Sequence, residues 1–167
     1  MGAKVGISVS EYLHTSYPDL DREYRDGVLV ERSLPDYLHG RTQILLGVFF
    51  EALRRRLSLF ASSETRLKLR DGLFLIPDVS VFWPSAPIVG VPETPPLIAI
   101  EILSPDDRMS AVLEKLDEFH KWGVAHVWLV DPHARRMYAY HAAGLVETEV
   151  LRIPRMGVEI TASDIFE

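Results

Sequence analysis

Hydrophobic and polar positions change their period several times along this chain, and the changes outline its elements. A short helix fits from Ser8 or Ser10 to Leu13, ahead of Pro18. Residues 22–31 read as a β-hairpin, with Asp26-Gly27 supplying the two positive φ values of a type I′ turn. Residues 33–38, which include Pro35, form a loop. From His39 to Leu59 the period becomes helical, as Leu45, Phe49, Ala52, Leu53, Leu57 and Phe60 recur at three- and four-residue spacing. Three strand-like runs follow: 62–70, closed by Asp71-Gly72, then Leu73 to Trp83, then Pro96 to Leu103. Between the last two, residues 84–95 carry Pro84, Pro87, Pro92, Pro95 and Gly90 and read as a loop. A second helix spans Asp107 to Trp122 and stops at Gly123. Val124 to Val130 is a strand ended by Asp131-Pro132, and Met137 to Tyr140 is another.

This order predicts an α/β protein of mixed α+β character, with a mixed β-sheet flanked by helices and an N-terminal β-hairpin. The strand–helix–strand step near its end implies a parallel pair with a right-handed crossover. The tail beyond Tyr140 has no clear period.

Composition narrows the function classes. The 167 residues contain no cysteine, which excludes disulfides, thiolate zinc sites and a cysteine nucleophile. A reducing cytoplasm is the compartment to expect. Residues 1–10 lack the basic region and apolar core of a signal peptide. No apolar run approaches the roughly 18 residues that cross a bilayer, so no membrane partner is expected. Net charge is −6, which argues mildly against tight nonspecific nucleic-acid binding. The charge is uneven. Residues 51–70 hold six bases (Arg54, Arg55, Arg56, Arg66, Lys68, Arg70) against two acids, and residues 101–120 hold six acids against two bases. A basic wall beside an acidic pocket suits a phosphate backbone meeting a cation. For the basic run alone, a solvated surface is the preferred reading.

Three positions carry the candidate chemistry. Glu101 lies inside Leu97-Ile98-Ala99-Ile100-Glu101-Ile102-Leu103, a run apolar enough for a strand buried on both faces. A carboxylate there is costly unless it is paired or binds a metal. Asp78 lies in Leu75-Ile76-Pro77-Asp78-Val79-Ser80-Val81-Phe82. Pro77 cannot donate to a ladder, so the strand is bulged or at an edge there. Asp78 is either an acid aimed by that bulge or the cap of a turn, and the residues alone do not choose. Lys115 falls within the apolar sector of its helix, with Met109, Val112, Leu113, Leu116, Phe119 and Trp122. It either snorkels outward or projects its ammonium onto the sheet. Two carboxylates from neighbouring strands can hold Mg²⁺ or Mn²⁺, and a nearby lysine can orient a water and offset charge on the phosphorane.

The ordered set Pro77-Asp78, Glu101 and a lysine resembles the PD-(D/E)XK nuclease superfamily. The usual lysine two residues after the acid is replaced by Leu103, and Lys115 stands where some branches carry the lysine on the following helix. More closely, the chain resembles a bacterial family of unknown function that carries a restriction-endonuclease label. The matching pieces are residues 26–31 (Asp-Gly-Val-Leu-Val-Glu), His39 opening a helix, Pro77-Asp78-Val79, Glu101-Ile102-Leu103-Ser104-Pro105, Lys115 with Phe119, Gly123-Val124, and Trp128-Leu129-Val130-Asp131-Pro132. The resemblance covers about residues 10–140 and departs at Ala111, where the family often has an acid, and at Phe119, where it often has a tyrosine.

This resemblance implies a restriction-endonuclease-like core over residues 39–141, an N-terminal arm and hairpin over 1–38 and a C-terminal extension over 142–167, all within one domain. It implies Asp78 and Glu101 as metal ligands, Lys115 as the catalytic lysine, Glu31 or Glu23 as a further acid, and His39 at the pocket rim. The cofactor would be Mg²⁺ or Mn²⁺ and the partner nucleic acid, DNA rather than RNA. A homodimer is also to be expected, with Phe82-Trp83 or the first hairpin as its surface.

Three other readings are weaker. The six histidines (His14, His39, His120, His126, His133, His141) lack the spacing of a helical zinc site. Ser104 lacks a nucleophile elbow and precedes Pro105, which suits a turn. A non-catalytic module binding nucleic acid or protein would more often have lost one of Asp78, Glu101 and Lys115.

Overall fold

A computed structural model describes residues 6–18, 20–83 and 90–166. Helix α1 (Val9–His14) leads into a hairpin of β1 (Glu23–Arg25) and β2 (Val28–Val30). At the turn, Asp26 and Gly27 both take positive φ, 48° and 89°, as the sequence requires. Helix α2 (Tyr37–Leu57) follows, then β3 (Phe60–Ser63), β4 (Leu67–Arg70), β5 (Leu73–Leu75), β6 (Val79–Phe82) and β7 (Ile98–Ile102). Helix α3 (Met109–Trp122), β8 (His126–Asp131), β9 (Arg136–His141), β10 (Gly144–Thr148), β11 (Val150–Ile153), β12 (Val158–Thr161) and α4 (Ala162–Ile165) complete the order.

The strands form a six-stranded mixed sheet, β10-β9-β8-β7-β6-β3, a four-stranded sheet, β2-β1-β5-β4, and the β11-β12 hairpin. Strands β7 and β8 are the parallel pair, connected through α3. Alternation along β7 sends Ile98, Ile100 and Ile102 to one face, where they pack with Leu46 and Phe50 of α2 and with Ile153, Val158 and Ile165. The C-terminal segment thus closes the core on that side. The other face carries Ala99, Phe82 and Leu129 against Val112, Leu116 and Phe119 of α3. By the same alternation Glu101 belongs to the α3 face.

Two expected strands each divide. The run 62–70 becomes β3 and β4, and the run from Leu73 to Trp83 becomes β5 and β6, with the two halves in different sheets. The second break falls at Ile76-Pro77-Asp78, where Pro77 can donate no ladder hydrogen bond. The buried stripe of α2 also differs by one position. His39, Thr42, Leu46 and Phe50 are its buried residues, Ala52 is exposed, and Phe49, Leu53 and Leu57 are partly buried. The doublets Leu45-Leu46 and Phe49-Phe50 allow either register, and the polar His39 and Thr42 disguise the inner face. Phe82 is buried rather than available as a surface; only its neighbour Trp83 is exposed. Met109, assigned to the apolar sector of α3, is exposed at the helix start. The tail without clear period is β10 to α4. Of the expected loop 84–95, residues 84–89 lie outside the described residues. Among the described residues no helix is long and apolar enough to cross a membrane.

The register of α2 is directly testable. Leu46→Ala removes a fully buried side chain and is expected to cost about 2–5 kcal/mol of unfolding free energy, whereas Ile44→Ala, on the exposed face, stays within about 0.5 kcal/mol. Urea titration followed by circular dichroism reads both, and equal losses would contradict the packing of this helix.

Candidate active site

The break between β5 and β6 leaves backbone groups that a continuous strand would have paired. Two side chains take them. The Ile76 N–H donates to Glu23 Oε1 at 3.0 Å, and Lys115 Nζ donates to the Ile76 carbonyl at 2.7 Å. Lys115 Nζ also lies 2.7 Å from Glu23 Oε1 and 2.9 Å from Glu101 Oε2. One ammonium thus joins β1, the β5–β6 break, β7 and α3. Its inward position follows from helix phase, since Val112, Leu116 and Phe119 of the same face are buried against the sheet.

Asp78 lies one residue before the β6–β7 ladder. Val79 pairs with Ile100, so continuing the register sets Asp78 opposite Glu101 on the same face. Its oxygens are occupied. Oδ2 accepts from the Ile102 N–H at 2.7 Å and lies 3.3 Å from His39 Nε2, while Oδ1 accepts from Arg32 Nη2 at 3.0 Å. The Asp78 carbonyl is fixed as well, accepting from Gln43 Nε2 of α2 at 2.9 Å and from the Glu64 N–H at 3.1 Å. His39 reaches Asp78 because Asp36 caps α2, accepting from the His39 N–H at 2.9 Å.

Glu23, Arg32, His39, Asp78, Glu101 and Lys115 line one pocket of about 510 Å³, together with Arg25, Ser104, Asp107, Arg108 and Ala111. Glu23, Asp78, Glu101, His39 and Lys115 are all buried. Burial raises the Glu101 carboxyl well above its ordinary value, and Lys115 only partly offsets this. Burial acts the same way on Asp78, but His39, Lys115 and Arg32 overcome it and hold that carboxyl below the ordinary value. For Lys115 burial works downward and is reversed by Glu101, Glu23 and Asp78, so the ammonium is retained. Burial also works downward on His39, and the hydrogen bond and charge of Asp78 reverse it. The two carboxyls facing each other across β6 and β7 are thereby pushed in opposite directions, an arrangement suited to different duties.

The structure brings Asp78, Glu101, Lys115 and His39 to this pocket. Glu31 lines its edge, but its side chain is 81% exposed and pairs with Arg22 at 3.4 Å. The acid that contacts the lysine is Glu23. Arg32 was not singled out from the sequence, and nothing there marks it, since an arginine following Glu31 reads as hairpin surface charge. The basic run at 51–70 does not form a wall at the pocket. Arg54 pairs with Glu51, Arg66 with Asp21, Lys68 with Asp71 and Glu93, and Arg70 with Asp26. Besides Lys115, the arginines Arg25, Arg32 and Arg108 line the pocket. Ser104 sits in a turn, its N–H donating to Asp107 at 2.7 Å.

The donor set suits a hard, oxygen-loving cation. Glu101 Oε1 is buried with no hydrogen-bond partner, and Asp78 faces it from the next strand. As the side chains stand, no three histidine or acidic groups among the described residues converge on one point. The reason is visible: Lys115 lies between Glu23 and Glu101, and Arg32 holds Asp78 Oδ1.

No curated protein matches the chain. A solved structure described as "a putative nuclease belonging to DUF820", from Anabaena variabilis ATCC 29413, is similar at a TM-score of 0.80, with 22% identity over 95% of this chain and 97% of that one. At that identity the likeness speaks for the fold, a mixed sheet flanked by helices. The Uma2 family model, described as "Putative restriction endonuclease", matches residues 9–167, and the chain belongs to that family.

Proposed function

We propose that this protein is a divalent-metal-dependent endonuclease that hydrolyses DNA phosphodiester bonds. The observation that carries the reading is the buried cluster of Glu23, Asp78, Glu101 and Lys115, open to a pocket at the point where the chain passes between sheets. The family's description points the same way. When bound, Mg²⁺ or Mn²⁺ supplies Lewis acidity to a phosphoryl oxygen and makes a water more acidic. Glu101, through its unpartnered Oε1, and Asp78 are the ligands proposed for it.

The chain's own residues do the rest. Lys115, held charged by its acids and beside Glu101, is placed to offset the negative charge that builds on the phosphorane. Glu23 positions Lys115, and His39 positions Asp78 through Oδ2. Arg108 at the pocket supplies charge for a flanking phosphate, and Arg25 lines the same pocket, paired with Glu114 at 3.2 Å. A homodimer belongs to this proposal, since two such centres set one against each strand of a duplex.

Supercoiled plasmid incubated with Mn²⁺ is expected to be nicked or linearised, and EDTA stops the reaction. Glu101→Gln and Asp78→Asn, which keep size and remove charge, should each slow cleavage about a hundredfold or more. Variants that cut DNA as fast as the unaltered protein would overturn the reading. Binding of DNA with no cleavage in any divalent metal would point instead to a non-catalytic module.

Stability gives an independent check on the cluster. Lys115→Met leaves Glu23 and Glu101 buried without their shared cation and is expected to lose about 3–5 kcal/mol at neutral pH. Adding Glu23→Gln removes the carboxylate stranded on β1, and Glu101→Gln replaces a carboxyl that burial already pushes toward its neutral form; together they should return most of that loss. Urea titration of the single and triple variants decides it, and an unaffected single variant would mean that the ammonium is not where the geometry places it.

A further inference from the structure

Asp78 Oδ1 is an atom that a bound cation would take as ligand, and in the structure it is held by a guanidinium. Arg32 Nη2 donates to it at 3.0 Å. The other nitrogen of that fork, Nη1, is buried without a hydrogen bond and lies 3.8 Å from Glu64 Oε2. A buried N–H without an acceptor is a penalty that proteins rarely leave standing without a use. Arg32 is therefore only half committed: one arm hydrogen-bonds Asp78, and the other has a loose ion pair with Glu64 and no hydrogen bond. Its side chain is 11% exposed and lines the same pocket as Glu101 and Lys115. It sits on the irregular stretch between β2 and α2, outside any ladder or helix, so its backbone does not fix it to one partner.

Asp78 Oδ2 is engaged differently. It accepts from the Ile102 backbone N–H at 2.7 Å, a donor fixed within β7. Of the two oxygens, Oδ1 is the one whose partner can leave without disturbing the sheet. A cation on that oxygen would stand within a few ångströms of the Arg32 guanidinium, and repulsion between the two positive groups weakens the Arg32 contact.

We propose that Arg32 is an exchangeable counter-cation: it neutralises Asp78 until a divalent metal takes Oδ1, and the displaced fork then grips a phosphate oxygen of the substrate. The fork suits that second duty, since a guanidinium offers paired N–H donors that match phosphate geometry. A built-in cation of this kind keeps a buried acid cluster folded and ties exposure of the phosphate clamp to metal binding. The inference rests on the metal-centre reading above and adds a residue and an order of events to it.

The test uses the whole protein without turnover. Mg²⁺ is titrated by calorimetry, and in parallel the Arg32 side-chain resonances of ¹⁵N-arginine-labelled protein are followed, assigned through Arg32→Lys. The Arg32 Nε–H signal is expected to shift or broaden with the same midpoint as metal binding. Arg32→Met should bind Mg²⁺ on the order of tenfold more tightly, the equivalent of one charge-assisted hydrogen bond that no longer has to be broken. Ca²⁺ is expected to raise the affinity of the unaltered protein for a short DNA duplex, and Arg32→Met to lose that gain. Mg²⁺ binding with an unmoved Arg32 signal would overturn the exchange and leave the metal centre standing. No Mg²⁺ binding by the unaltered protein or by Arg32→Met would overturn the metal centre itself, and the exchange with it.

Discussion

The bridge made by Lys115 is the contact on which the rest of the site depends. Its ammonium touches Glu23 on β1, Glu101 on β7 and the Ile76 carbonyl at the sheet break, all from α3. Each partner would be costly alone. A buried carboxylate without a cation is penalised, and so is a carbonyl stripped of its ladder partner. Joined at one nitrogen, they offset one another. The two sheets are thereby held in the relation that sets Glu23 beside Glu101, while the β6–β7 register sets Asp78 there.

Much of this arrangement was legible in the residues, and for physical reasons. Glu101 stood out because a charged group in an otherwise apolar strand has few explanations. Lys115 stood out because helix phase is rigid, and the same phase that buries Leu116 and Phe119 buries the lysine. Asp78 was ambiguous, and the structure shows why: it lies at a chain break and faces the site through ladder register, so both local descriptions apply. Neighbouring sequence does not encode which sheet a strand joins, so the transfer at Ile76-Pro77 showed only as a proline in an apolar run. Glu23 and Arg32 were harder still. Their significance comes from pairings across the fold, β1 with β5 and Arg32 with Asp78, and short exposed hairpins carry the same residue types without consequence. The one-position difference on α2 has the same origin, because the polar His39 and Thr42 on its inner face serve the site and blur the hydrophobic period.

Burial of so many charges is poor economy for stability alone. Replacing a buried ion pair with apolar side chains of similar size is often neutral or stabilising. Here Glu23, Asp78, Glu101, Lys115 and Arg32 occupy a volume that leucine and methionine could fill, next to a well-packed apolar cluster on α3 and β7. The cluster also stands open to a pocket rather than sealed, and three polar atoms around it, Glu101 Oε1, Arg32 Nη1 and His39 Nδ1, lack hydrogen-bond partners. Glu101 Oε1 is an acceptor, Arg32 Nη1 a donor, and the His39 nitrogen either, according to its tautomer. A site that takes up a cation and an anionic phosphate together needs one unsatisfied atom of each kind. A purely structural network has reason to pair both, which makes this mismatch the firmest physical ground for reading the cluster as chemistry rather than as scaffolding.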